Sequence, residues 1–221
     1  MNLEELLLGI AEALRLPVLA LALLALAVVL GELGAFAVEL SRRRRRDPAR
    51  LERVAAYARA ALDRGEAATA RRVLSGIASD RAMAGAIAQL AAAWGTPAAE
   101  DRMAKTLADF DLRSLRRLER TRVLVRAGPA LGLMGTLIPL SPALAALGRG
   151  DVTELAEGLR VAFGVTVIGI LVGMVAFVLS LVRDRLYTQD HSDLEYLAAV
   201  LAAEPGRAPA PAPATILETV R

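Results

Sequence analysis

The chain has no cysteine, one histidine, one tryptophan, three tyrosines and four phenylalanines among its 221 residues. Without thiols there is no disulfide, no thiolate nucleophile and no Cys-based metal site. No phosphate-binding loop or catalytic constellation occurs, and His191 lies far from the charged segment 47–128. These absences predict a protein that is not an enzyme, with no catalytic residue, no cofactor and no metal. The net charge of +3 is carried almost wholly by arginine. Nucleic-acid recognition needs such charges on a folded face with aromatic stacking platforms. Here aromatics are scarce and the arginines flank apolar runs, so no nucleic acid is expected and the charges report membrane topology instead.

Charge itself is missing from two stretches, Ala127–Leu147 and Val161–Val182. Each is about 20 residues long, enough helix to cross a hydrocarbon core of roughly 30 Å. The polar Gly148–Arg160 segment between them reads as a short turn, making a membrane hairpin. Toward the N-terminus, Leu3, Leu6, Leu7, Ile10 and Leu14 recur at helical spacing opposite Glu4, Glu5 and Glu12. This pattern predicts an amphipathic helix lying on a membrane surface. Pro17–Leu40 follows as a further crossing. Ala35-Phe36-Ala37 has the form of a signal-cleavage site, but the acidic N-terminal region and the arginines after the apolar run argue against cleavage. Glu32 lies inside this first crossing, where a carboxylate costs a few kcal/mol; it is expected near the interface or facing a neighbouring helix, the alternative being a functional carboxylate.

Positively charged flanks stay in the cytoplasm. Arg42–Arg46, the arginines from Arg113 to Arg126, and Arg183 with Arg185 agree on one orientation, N-terminus outside and C-terminus inside. The expected fold is therefore all-α, an integral membrane protein with three transmembrane helices. The second and third extend as long helices into a cytoplasmic helical region. Residues 1–41 hold the amphipathic helix and first crossing, 42–126 a cytoplasmic helical region, and 127–185 the hairpin. Residues 186–203 extend the last helix, and the Ala/Pro-rich 204–221 read as a disordered tail. Within 42–126, Asp47-Pro48 marks a helix start, Arg64-Gly65 a break, and Gly95-Thr96-Pro97 a stop followed by a new start.

Two faces run through the long helices without a change of phase. Met103, Leu107, Phe110, Ser114, Leu118, Thr121 and Val125 continue as Gly128, Gly132, Gly135, Pro139, Pro142 and Ala146. Ala162, Thr166, Gly169, Gly173, Ala176 and Ser180 continue through Tyr187, Leu194, Leu197 and Leu201. Small residues let helices approach closely where lipid supplies no hydrophobic drive, which accounts for the glycines by packing alone. Thr136, Thr166 and the carbonyls released by Pro139 and Pro142 admit a second role, lining a wet path. An unpaired cation in a dry apolar medium costs tens of kcal/mol. Neither hairpin crossing holds a carboxylate, so a cation path requires an acidic group from another polypeptide.

Pro129-Ala130-Leu131-Gly132-Leu133-Met134-Gly135-Thr136-Leu137-Ile138 resembles the second-crossing signature of the MotA/TolQ/ExbB proton-channel family, a proline followed by Gly-x-x-Gly-Thr. Gly158 to Gly169, with Ala162, Thr166 and Gly169 in register, is similar to its last-crossing signature, and the layout resembles the TolQ/ExbB branch. The resemblance implies a homopentamer in the bacterial or archaeal cytoplasmic membrane around two copies of an ExbD/TolR/MotB-like partner, each with one transmembrane helix bearing an Asp. It implies an ion channel subunit, conducting protons, that couples a gradient to movement of that partner. Thr136 and Thr166 would face the ion pathway, and Gly132, Gly135, Pro139, Gly169 and Gly173 would form a pore-facing or helix-packing small face. Two positions depart from the family pattern: Val161 stands where that branch usually has Glu, and Pro139 where Gly is usual. The rival expectation is a non-conducting membrane scaffold whose long helices recruit a soluble partner.

Overall fold

The computed structural model describes residues 2–43 and 47–203, and every regular element within them is an α-helix. In order these are α1 (Leu3–Ala13), α2 (Arg15–Arg42), α3 (Pro48–Asp63), α4 (Ala67–Ser75), α5 (Arg81–Ala93), α6 (Ala99–Gly148) and α7 (Val152–Ala202). Arg44–Arg46 of the first arginine cluster and the Ala/Pro-rich tail from 204 lie outside the described residues. Among the described residues, three stretches are long and apolar enough to cross a membrane: Gly9–Ser41, and the helices α6 and α7.

Local chemistry sets the boundaries. The Asp47 carboxylate accepts the Arg50 N–H at 3.1 Å ahead of Pro48, and Asp80 accepts the Met83 N–H at 2.8 Å; each satisfies a donor the helix start would leave unpaired. After α3 and α5 the chain reverses through Gly65 and Gly95, at φ of 80° and 72°, a conformation that favours glycine. One boundary differs from the expected one. The hairpin turn is only Arg149–Asp151, and Val152–Arg160 is helix. Gly150 turns the chain at φ 78°, and Asp151 then accepts the Glu154 N–H at 3.0 Å. That cap starts α7 early, so the polar residues after it decorate a helix.

The chain divides into two compact units, the first made of Met1–Val38 and Arg116–Asp184. Within it α2 buries Val18, Ala22, Ala25 and Val29, a stripe of three- and four-residue steps. Ala25 and Val29 pack in one cluster with Leu124, Val172 and Ala176, bordered by Leu131, Ile168 and Val175. Leu133, Leu137, Phe163, Val167 and Phe177 point outward, as expected of helices solvated by lipid.

Between α6 and α7 the glycines meet backbone to backbone. A β-carbon on Gly169 would stand 2.6 Å from both the Gly132 α-carbon and the Gly128 carbonyl oxygen; one on Gly128 would stand 2.7 Å from the Gly173 nitrogen. Gly173 faces the Pro129 ring, Gly135 faces Val165, and Gly158 faces Ala143. Paired positions descend on one helix as they ascend on the other, so the two are antiparallel.

The second unit comprises Glu39–Leu115 and Arg185 onward. Leu62, Leu74, Met83, Ile87, Leu90, Phe110, Leu194, Leu197 and Leu201 form its core. Arg59 donates to the carbonyls of Val200 and Leu201 at the end of α7, where unpaired carbonyls favour a cation. Directly after α2, the half-buried Arg43 guanidinium donates to the Asp190 carboxylate and to the Leu186 carbonyl, and Ser79 donates to Asp190 at 3.0 Å.

The backbone contact at Gly169 yields a paired test. Neither Gly132 Cα nor Gly128 O can move aside cheaply, so Gly169→Ala lowers stability by about 1–3 kcal/mol. Gly164, on the same helix with nothing within 4 Å of its would-be β-carbon, tolerates alanine or gains from it. Thermal unfolding of both variants in the same detergent reads the difference.

Candidate functional site

Thr136 and Thr166 lie beside one contact of the hairpin. Gly135 of α6 faces Val165 of α7, and each threonine is the next residue along its own helix. Successive helical residues rotate by about 100°, and viewed from one end the rotations of antiparallel helices have opposite senses. Residues one step beyond a facing pair therefore emerge on the same flank. By the same rotation Leu131 and Ile168 fall on the other flank, and these border the cluster that holds Ala25 and Val29 of α2. The chain thus covers one side of its hairpin with α2 and places both threonines on the other.

Both threonines are half-buried, and each hydroxyl spends its proton on its own helix. Thr136 donates to the Leu133 carbonyl at 2.7 Å and Thr166 to the Ala162 carbonyl at 3.0 Å. A hydroxyl has one donor and two acceptor lone pairs, so what remains outward is oxygen that accepts. Such a surface suits water, hydronium or a metal cation, and repels anions. Gly132, Gly135, Gly169 and Gly173 lie in the seam between α6 and α7, and Pro139 is buried close by, its carbonyl oxygen 3.6 Å from the would-be β-carbon of Gly158.

Glu32 continues the buried stripe of α2. Its carboxylate accepts from Arg183 of α7 at 2.7 Å, and the Arg183 guanidinium stacks over Phe36 at 5.6 Å. The expectation for Glu32 was a group near the interface or facing a neighbour, and it faces a neighbour. Arg183, read from the sequence as an orientation charge, is 5% exposed and serves as that partner. No spacing rule joins residues so far apart in sequence; only the phase of Glu32 with Val18, Ala22, Ala25 and Val29 hinted that it points inward.

At the turn end of the hairpin a recess of about 310 Å³ is lined by Pro142, Gly158 and Val161, with Arg15, Glu157 and Arg160 at its sides. By sequence Glu157 falls in the Gly148–Arg160 turn. Once Val152–Arg160 is helix, Glu157 stands one turn from Val161, at the hairpin's edge.

Removing one member of the Glu32–Arg183 pair leaves the other charged and desolvated, a cost of about 3–5 kcal/mol. Arg183→Gln and Glu32→Gln are each expected to lower the unfolding temperature strongly, whereas the double variant recovers much of the loss. A double-mutant cycle by thermal unfolding in detergent measures it.

A model of the MotA/TolQ/ExbB proton channel family matches residues 78–195, a stretch that contains both threonines and every glycine of the seam. No curated protein matches the chain.

Proposed function

The chain belongs to the MotA/TolQ/ExbB proton channel family, and on that premise we propose that it is the ion-conducting subunit of an energy-transducing membrane complex. Membership and three apolar spans make it a multi-pass membrane protein of a channel family. The finer reading is ours: five copies enclose a partner with one transmembrane helix carrying an Asp, and protons pass between that Asp and the threonine flank. The flank of Thr136 and Thr166 carries the proposal. It is left uncovered by the chain's own first span and presents acceptor oxygens.

The arithmetic of charge supports a shared site. A cation cannot rest on two hydroxyls in a dry medium, and the carboxylates Glu32 and Glu39 of the first crossing are engaged by Arg183 and by Tyr187 with Arg43, respectively. A carboxylate on a partner helix supplies the missing charge. The membrane potential then contributes about 2.3 kcal/mol per charge per 100 mV, enough to drive repeated displacement of the partner. The arginine bias sets the orientation in this reading, with the N-terminus outside and residues 42–126 and 186–203 in the cytoplasm.

Thr166→Val keeps the shape and removes the acceptor. Hydrogen bonds to charged groups are worth about 1.5–3 kcal/mol, so ion flux should fall roughly ten- to hundredfold while assembly is unchanged. Flux is measured in vesicles holding the chain and its partner, with complex size checked by chromatography. If Thr136→Val and Thr166→Val both conduct at the full rate, the path lies elsewhere and a scaffold role is left.

A further inference from the structure

Within the second unit one cation stands between two carboxylates. Arg43, directly after α2, donates through Nη2 to Asp190 of α7 and to the Leu186 carbonyl. Its other terminal nitrogen, Nη1, is buried and has no hydrogen-bond partner among the described residues. That nitrogen lies 4.0 Å from a carboxylate oxygen of Glu39, one turn back on α2. The separation is too long for a hydrogen bond, and a rotation of the side chain closes it. Glu39 meanwhile accepts from the Tyr187 hydroxyl at 3.2 Å. Arg43 thus has two anchors to choose from, one across the unit on α7 and one on its own helix.

Asp190 decides between them. It is 5% exposed, and Ser79, in the link between α4 and α5, donates to it at 3.0 Å. Burial pushes its carboxyl above the usual carboxylate range; the charge and hydrogen bond of Arg43 and the hydrogen bond of Ser79 oppose this, and the nearby Asp80 carboxylate adds to it. Asp47, Arg50 and Asp193 join the pair in lining a recess of about 420 Å³, polar and roomy enough to hold water. Such water gives Asp190 a source of protons. His191, the next residue, stacks on Phe110 of α6 and pairs with Glu195 instead. While ionised, Asp190 accepts from both Arg43 and Ser79. Once protonated it is neutral and its O–H must itself donate, so the Arg43 charge loses its counter-ion where that loss is costly. Glu39 is the anion that faces the unpaired Nη1.

We propose that Arg43 is a proton-operated tie with two positions: ionised Asp190 holds it across to α7, and protonated Asp190 yields it to Glu39 on its own helix. In the first position the chain leaving the first crossing is anchored to α7, and in the second it is released. The tie needs only the second unit, so it stands whether or not the hairpin conducts. Its use in a channel rests on the reading above, in which protons arrive on this side of the membrane and loosen the hold.

The test uses the full-length chain in lipid nanodiscs. With no native cysteine, the exposed Ser41→Cys carries a single nitroxide label whose mobility reads the tie. On acidification from mildly alkaline pH, mobility rises reversibly while the infrared band of a protonated carboxyl appears over the same range. That band is missing from Asp190→Asn, whose label is mobile at every pH. Ser79→Ala removes a hydrogen bond to the charged form and moves the transition up by about one pH unit. Asp80→Asn, which still caps α5, removes a repulsion and moves it down. Glu39→Gln leaves the released Arg43 without an anion and also moves it down. The proposal is overturned if Asp190→Asn keeps the wild-type transition, if Glu39→Gln leaves the midpoint in place, or if mobility rises while Asp190 stays ionised. A shift in the emission of Trp94 together with the label signals melting of the unit's core and overturns it too. Should Asp190→Asn fail to fold, Ser79→Ala and Glu39→Gln still decide.

Discussion

At Gly128, Gly132, Gly169 and Gly173 the two hairpin helices of the span-bearing unit meet backbone against backbone. Lipid tails are as apolar as leucine, so nothing pushes helices together inside a bilayer except packing and polar contacts. Four positions without side chains permit the approach. With the seam closed, the outer faces of α6 and α7 follow by rotation. One flank receives α2 through Ala25 and Val29, and the other carries Thr136 and Thr166. A side chain larger than hydrogen at the seam would part the helices and turn both flanks.

Polarity within this unit is rationed. Thr121, Thr136 and Thr166 donate to carbonyls of their own helices, and Glu32 pairs with Arg183. Each of these side chains thus has an internal partner, as burial favours. The threonines nonetheless keep acceptor capacity, because donating one proton leaves the oxygen lone pairs unused. That difference separates a group that is merely satisfied from one that can still receive a ligand.

The periodic faces were legible in the sequence. Every position from Met103 to Ala146 and from Ala162 to Leu201 assigned to the inner stripes is buried or half-buried, because one helical phase persists through α6 and α7. The caps at Asp47 and the breaks at Gly65 and Gly95 could also be read, since their chemistry is local. The early start of α7 was missed, because the polar run from Thr153 to Arg160 resembles a loop until Asp151 is recognised as its cap. The Glu32–Arg183 pair and the choice of flank for α2 were not legible at all. Both depend on which surfaces meet across more than a hundred residues, and composition or spacing in one segment holds no record of that.

The link Arg149–Asp151 has a consequence for motion. The seam alone is nearly degenerate along its length: sliding α6 by one turn, about 5.4 Å, would again bring one small residue opposite another. Following such a slide would draw these three residues out toward their full reach of about 10 Å, undoing the Gly150 turn and the Asp151 cap that starts α7. The two rods are thereby denied piston travel past each other, and any stroke the hairpin makes must tilt or translate both rods as a single lever. A longer connector would restore the lost degree of freedom without altering a single residue of the seam.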